Sequence, residues 1–367
     1  MSATASAPSP TWPSLTARLV RHEDLEASQA AWAMDEVMSG NASALQLAGF
    51  LVALESKGVT SVELGALADA MVDHARPLDV DRRAIDIVGT GGDLAHTVNI
   101  STMASVIIAA SGRRVVKHGN RASTSRSGSA DVLDALGVRL DLPAERSAQL
   151  LDEVGIAFLF AQVFHPSMRF GAEARKGLGI PTVFNVLGPI TNPGKPLASA
   201  VGVASSVMAP VVAGVFAGRG TSALVFRGQD GLDELTVGAP SDVWEVRGGS
   251  VHEHVLDPSD LLGIPRHGAD ALRGGSAEEN AQVARDLYAG TGAAAVRDAV
   301  LLNAAAGLLA HDGIDAGSGT TADGASFEDR FRAAFEEAGA VLDSGAPARL
   351  LETWARASQR AAGETQR

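Results

Sequence analysis

Between Asp93 and Asp131 the chain carries no acidic residue, although 43 of its 367 residues are Asp or Glu. The same window holds Arg113, Arg114, Lys117, Arg121 and Arg126, with His96 and His118. A net-acidic chain that clears its carboxylates from one segment points to an anion bound there. Arg113 and Arg114 also read as a basic face paired with acids elsewhere. The run KHGNRASTSRSGSAD at 117–131 is nearly free of apolar side chains. Its cations, amide and hydroxyls suit a polyphosphate held by charge-assisted hydrogen bonds. Upstream, 85–102 reads IDIVGTGGDLAHTVNIST. Gly89, Gly91 and Gly92 let a backbone approach a ligand closely, and a helix predicted from about Ser101 adds its N-terminal dipole. Leu94 stands where a dinucleotide fingerprint needs its last glycine, and no Gly-Lys-Ser/Thr follows, so neither that motif nor a P-loop is present. Farther on, DGLDE at 230–234 offers Asp233 and Glu234. A lone turn of this kind is usually solvated. Beside a polyphosphate loop it fits magnesium, which keeps several waters and takes few protein carboxylates. Arg175 could clamp a carboxylate with its planar fork, although spacing alone makes it an ordinary helical arginine. His118 and His165 are open to general-base or structural roles.

The elements that must position these residues follow from periodicity. Residues 14–80 read as helical throughout, with helices over 23–39, 43–57 and from 61 to just before Pro77, the first two stopped by Gly40 and Gly58. After Arg83 strands and helices alternate. Strands are predicted ending at Val88, over 114–117, 156–161, 199–203 and 223–226, and helices over 130–136, 144–154 and 167–178. This alternation predicts a mostly parallel sheet covered on both faces. Ligands then bind beyond the carboxyl ends of the strands, where the Gly89 loop lies. Residues 183–192 read as an irregular hinge or lid support. Residues 274–289 and 293–309 read as helices, and 317–324 as a surface loop.

Composition sets the outer bounds. With 46% hydrophobic residues the chain can bury a large core, most simply in two domains. It has no cysteine, so disulfides, thiolate catalysis and thiolate metal sites are excluded, which fits a reducing compartment. A net charge of −13 argues against nucleic-acid and anionic-membrane partners. The start, MSATASAPSPTWPS, lacks a signal-peptide pattern and reads as a mobile tail. Residues 197–218 carry no charge over a membrane-spanning length, yet their Ala, Gly, Ser and Val content and Pro210 predict a buried strand followed by a packed helix.

GTGGD at 89–93, NIST at 99–102, KHGNRASTS at 117–125 followed by SGSADVLDALG, VFNVLGPITNP at 183–193 and DGLDEL at 230–235 together resemble the anthranilate phosphoribosyltransferases. The likeness continues through GGSAEENAQVARDLYAG and RDAVLLNAAAGLL. Departures are Leu94 for a common Gly, Thr124 for a small Ser or Ala, Arg227 for a frequent His, and Met168 at a position aromatic in some relatives. The resemblance implies an α/β fold with a small α-helical domain, 14–80 plus a contribution from 165–187, beside a large α/β domain, 84–361. Tails at 1–13 and 362–367 flank them, and the active site lies at the hinge of a cytoplasmic homodimer. It implies transfer of phosphoribose from phosphoribosyl pyrophosphate to anthranilate in tryptophan biosynthesis. Phosphoribosyl pyrophosphate would be held by Gly89, Gly92, Asp93, Thr97, Asn99, Ile100, Ser101 and Thr102. Lys117, His118, Gly119, Asn120, Arg121, Ala122, Ser123, Thr124, Ser125 and Ser129 would complete that cradle. Magnesium would be served by Ser101, Asp233 and Glu234, and anthranilate by Gly89, Asn120 and Arg175. A pyrimidine nucleoside phosphorylase of similar architecture would use inorganic phosphate and dispense with the DGLDE metal site. A non-catalytic nucleic-acid-binding paralogue is disfavoured by the acidic charge.

Overall fold

The computed structural model describes residues 9–122, 126–315 and 324–365. It opens with four helices, α1 (Trp12–Val20), α2 (Ala27–Met38), α3 (Ala44–Lys57) and α4 (Ser61–Asp73). Thr11, Ser43 and Thr60 cap α1, α3 and α4, each side chain accepting a first-turn N–H. The segment expected as a tail over 1–13 therefore ends sooner. Pro13 sits in the first helical turn, where its missing N–H costs nothing, and Trp12 is buried against Trp32 and Phe50 with ring centroids 5.5 and 5.6 Å apart. Glu63, wholly buried, accepts from Leu25 N and, at 2.9 Å, from Lys57 Nζ, tying α3 and α4 to the turn before α2.

Alternation then runs β1 (Ile85–Gly89), α5 (Ile100–Ala110), β2 (Val115–Gly119), α6 (Ser129–Ala135), α7 (Ala144–Val154), β3 (Ile156–Phe160), α8 (Ala161–Phe164), α9 (Ala172–Leu178), α10 (Phe184–Leu187), β4 (Ala198–Gly202), α11 (Met208–Arg219) and β5 (Ser222–Gly228). The helix expected over 167–178 is a 3-10 turn, Pro166–Gly171, followed by α9. The sheet order is β3-β2-β1-β4-β5-β6-β7. The strands from β3 to β5 pair in parallel, while β6 (Ser241–Arg247) and β7 (Ser250–Leu256) add antiparallel. The hairpin β6-β7, turned by Gly248 and Gly249 at positive φ, was not foreseen; its signal is the Gly-Gly pair between alternating runs. The chain closes with α12 (Pro258–Leu262), α13 (Ala277–Tyr288), α14 (Ala294–Asp312), α15 (Phe327–Asp343) and α16 (Ala346–Thr365). Helix α16 continues through Thr365, inside the span expected as a tail over 362–367. Most of the loop expected over 317–324 lies outside the described residues.

Side chains alternate across the sheet with the two-residue period of a strand. Leu224 and Phe226 of β5 enter a core shared with α5 and α14, while Ala223 and Val225 enter one shared with α11 and the four opening helices. That second core also includes Ala174, Val183, Phe184 and Leu187. The uncharged stretch over 197–218 is β4 and α11: α11 packs in this second core, while β4 sends Ala198 and Ala200 into the first and Val201 into the second. No described helix is long and apolar enough to cross a membrane.

Candidate active site

The DGLDE turn explains two glycines of the sheet. Gly89 ends β1 and Gly202, its register partner, ends β4. A Cβ on Gly89 would lie 2.2 Å from Asp233 Oδ2, and one on Gly202 would lie 1.7 Å from Asp233 O. Only glycines let the turn settle onto these strand ends. Gly91 N then donates to Asp233 Oδ2 at 2.6 Å. The turn is fixed from behind by Asn303 of α14, wholly buried, whose Oδ1 accepts Leu235 N at 3.1 Å and whose Nδ2 donates to Leu235 O at 2.9 Å. Asp230 is used within the turn, accepting from Thr236 Oγ1.

Asp233 and Glu234 are each 8% exposed. Burial, and then the charge of Asp93, push the Asp233 carboxyl up to about 7; burial and the charge of Asp233 raise Glu234 well above the usual carboxylate range. Three neighbouring acids thus lack sufficient positive charge, the condition a divalent cation relieves. No cluster of three or more His, Cys, Asp or Glu side chains forms a metal cage among the described residues. This donor set fits a hard cation completed by water and phosphate oxygens. Ser101 lies beside it, its N–H directed to Glu234.

Lys117 is not a surface cation of the phosphate loop. It is fully buried, and its Nζ donates to Ile87 O and, at 3.2 Å, to Ser101 Oγ. Burial lowers its pKa to about 8 against the opposing pull of Asp86 and Glu234. It acts on the anion site through Ser101 and through its field. At the N-terminus of α5, Ile100 N donates to Val98 O at 2.8 Å and Ser101 N is directed to Glu234, while Thr102 Oγ1 is buried with no hydrogen-bond partner among the described residues; the helix dipole favours an anion at this end.

The loop after β2 is drawn together at its base. Asp131 Oδ2 accepts Ala122 N at 3.0 Å and Gly128 N at 2.9 Å, while Oδ1 takes Arg121 at 2.8 Å. Arg121 is therefore occupied by Asp131 and Asp134 and stacked over Phe160. Arg113 pairs with Asp312 and Glu337, and Arg114 with Asp152, so both belong to the basic face with partners elsewhere. Asn99 is likewise engaged. Its Oδ1 accepts from Asn280 Nδ2 at 2.8 Å, and its Nδ2 donates to Ser127 O. Asn280, 3% exposed on α13, also bonds Ser127 Oγ at 2.9 Å and went unseen in the sequence because its partners lie more than 150 positions away. Thr97 forms an isolated bridge with Arg273, Ile100 is buried, Gly92 is exposed at positive φ, and Ser129 opens α6. Ser123, Thr124 and Ser125 lie outside the described residues.

Beside this anion site a cavity of about 480 Å³ opens between the helices and the strand ends. Gly89, Asn120 and Arg175 all line it, as do His118, His165 and Met168. Arg175 stacks over Phe184, its guanidinium 5.1 Å from the ring centroid. Burial lowers its pKa from the usual arginine range, and no carboxylate among the described residues pairs with it. His118 Nδ1 lies 3.1 Å from Gly188 O and His165 Nε2 3.0 Å from Thr191 O. Carbonyls only accept, so these contacts place the protons on those nitrogens. His118 Nε2 is then a lone-pair acceptor, and it is buried without a partner. Burial, with His165 5.1 Å away, drives His118 down to about 3, and burial takes His165 to about 4. Both rings are neutral at pH 7. Arg227, a departure from the resembling family, donates to Ala204 O at 2.8 Å.

A seven-stranded sheet packs on a helical bundle, with a buried acidic cluster and a cavity at the strand ends, and this is the architecture of a glycosyl transferase family. Residues 81–347 match the glycosyl transferase family, a/b domain, and residues 13–75 match the glycosyl transferase family, helical bundle domain. Anthranilate phosphoribosyltransferase of Arthrobacter sp. FB24 is 56% identical over 352 residues, covering 96% of this chain and 97% of its own. That of Nocardia farcinica is 55% identical, covering 91% and 96%. Among solved structures, anthranilate phosphoribosyltransferase from Thermus thermophilus aligns with a TM-score of 0.83 at 40% identity, covering 94% of this chain and 99% of its own. The Saccharomyces cerevisiae enzyme in complex with PRPP and Mg aligns at 0.82 and 26% identity, covering 95% and 98%. The chain belongs to the anthranilate phosphoribosyltransferase family.

Proposed function

We infer that the protein transfers the phosphoribosyl group of phosphoribosyl pyrophosphate to the amine of anthranilate, releasing pyrophosphate, as a magnesium-dependent enzyme of tryptophan biosynthesis. The observation that carries the acceptor assignment is the 480 Å³ cavity. It holds a cation, Arg175, that no carboxylate among the described residues pairs with, beside the neutral ring of His118. An aromatic ring bearing a carboxylate fits both. The carboxylate meets the Arg175 fork. Aniline nitrogen is nucleophilic when neutral, so the site needs no strong base.

The donor's phosphates lie along the N-terminus of α5 and the loop 117–129, beside Asp233 and Glu234. Asp233, Glu234 and Ser101 would hold magnesium, which would supply positive charge against that gathering on the departing diphosphate. The chain itself supplies the dipole at the N-terminus of α5, the hydroxyl of Ser101 and the field of Lys117, all fixed before reaction. Catalysis is thus positioning with electrostatic stabilisation and involves no covalent enzyme intermediate. Residues 14–80 together with 165–187 act as the unit that closes on 84–361 and excludes water. The exposed apolar side chains Val20, Leu45 and Val52 on α1 and α3 support a homodimer formed through that face. A cytoplasmic location agrees with the cysteine-free composition.

The test is the loss of anthranilate fluorescence on mixing with phosphoribosyl pyrophosphate and magnesium. The reading expects a decay that needs all three and stops with EDTA. Unchanged fluorescence, or a decay supported by inorganic phosphate and a pyrimidine nucleoside instead, refutes it.

A further inference from the structure

Asp86 lies in the middle of β1, wholly buried, and lines neither the acceptor cavity nor the anion site. Its carboxylate nonetheless touches the cavity-lining His118 and, through Asn192, the segment that contributes Gly188 and Pro189 to the lining. Oδ1 accepts the backbone N–H of His118 at 3.1 Å, and Oδ2 accepts Asn192 Nδ2 at 2.8 Å. The Asn192 amide is itself saturated, donating to Val116 O at 2.7 Å and accepting Gly194 N at 2.8 Å. A Cβ on Gly194 would come within 2.7 Å of Val116 Cγ1, so the 192–194 backbone is pressed onto β2. The preceding residues of this segment form the cavity wall. Gly188 O accepts from the His118 ring, Thr191 O accepts from the His165 ring, and Arg219 donates to Ile190 O from behind at 2.9 Å. One buried carboxylate therefore fixes the end of β2, from which His118 projects, and through Asn192 the segment that selects the His118 tautomer.

We propose that Asp86 is a positioning residue for the acceptor: acting through Asn192 and the His118 N–H, it holds 188–192 against β2 and fixes the cavity-lining His118 ring in its Nδ1–H tautomer. It never touches substrate. This rests on the cavity being the anthranilate site. An amide at 86 would set its own donor against Asn192 Nδ2 or give up the His118 N–H, so Asp86→Asn breaks the link while nearly preserving volume.

The experiment uses the full chain with Asp86→Asn, Asn192→Ala and their combination, and Ser222→Ala as a buried control remote from the cavity. Steady-state constants are measured for both substrates. ¹⁵N spectra of histidine-labelled protein without substrate report the ring tautomers. The expected result for Asn192→Ala, which removes no charge, is an anthranilate KM raised about tenfold or more and a phosphoribosyl pyrophosphate KM within about twofold. Asp86→Asn also removes the charge that faces Lys117, so its readouts are the anthranilate KM and the tautomer. His118 should lose its single Nδ1–H tautomer, and the double variant should be no worse than the worse single one. Both KM values moving together with lowered Tm in Asn192→Ala, or a His118 tautomer unchanged in both single variants, overturns the proposal. Should Asp86→Asn yield no soluble protein, Asn192→Ala carries both readouts. Wild-type protein inert toward anthranilate would sink the functional reading, while the tautomer spectra would still decide whether Asp86 sets His118.

Discussion

At the scale of single residues, charge and burial make sharp demands. His118 and His165 are held neutral by burial, at about 3 and about 4. A histidine with a lowered folded pKa protonates only as pH falls through that value. Ring ¹⁵N shifts of both should thus show no protonation from pH 8 down to about 5, where an exposed histidine would already titrate. Glu245 is different. Burial pushes its carboxyl up, but His254, whose Nε2 lies 3.5 Å away, and the hydrogen bonds and charge of Arg330 win and bring it to about 2. A depressed folded pKa stabilises above the unfolded value near ~4.3 and is lost as pH falls toward 2. Replacing Glu245 with Gln should cost about 3 kcal/mol at pH 7 by denaturant unfolding, with a deficit that shrinks below pH 4. Of the residues themselves, the sequence showed the acids of DGLDE and the basic window. It could not show that Lys117 turns inward or that Arg121 is taken by Asp131 and Asp134, because those outcomes depend on which neighbours the strands bring near.

Elements decide whether the residues meet. The strand and helix pattern from 85 to 228 was legible because parallel strands buried on both faces read as short apolar runs ended by glycine. The hairpin β6-β7 was missed because its outer strand is largely exposed and its polar residues mask the alternation. Trp12 and Pro13 read as tail with the small, polar, proline-rich run before them, although a proline also suits the first helical turn. The glycines Gly89 and Gly202 were visible, but their reason, the DGLDE turn lying on both strand ends, is a tertiary fact. Gly202→Ala should therefore lower turnover by about a hundredfold, the scale of moving a site by roughly 1 Å, with a matching loss of magnesium dependence at low metal. Asn280 links α13 to both Asn99 and Ser127. Asn280→Ala should raise the KM for phosphoribosyl pyrophosphate about tenfold, the equivalent of one buried hydrogen bond of ~1.4 kcal/mol. The anthranilate KM should change by less than about twofold. Equal changes in both constants would show that α13 serves general stability instead.

For the whole molecule, one core runs from the four opening helices through α11 to a face of the sheet, so the helical unit does not fold away from the rest. Its contact with α11 is close, since a Cβ on Gly214 would sit 2.8 Å from Ser61 Cβ, and Arg219 bridges to Asp69 at 2.6 Å. If α1 and α3 form the dimer face, Val52→Glu should shift the species seen by light scattering to monomer, and an unchanged mass would remove that face from consideration. The central claim is that donor and acceptor occupy neighbouring halves of one cleft, phosphates at α5 and DGLDE, aromatic amine in the cavity of His118 and Arg175. A crystal structure with phosphoribosyl pyrophosphate, magnesium and anthranilate tests it most directly. The predicted result is diphosphate density beside Ser101, Thr102, Asp233 and Glu234, with the anthranilate carboxylate on Arg175 and its ring in the cavity beside His118. Density for either substrate away from these residues would contradict it.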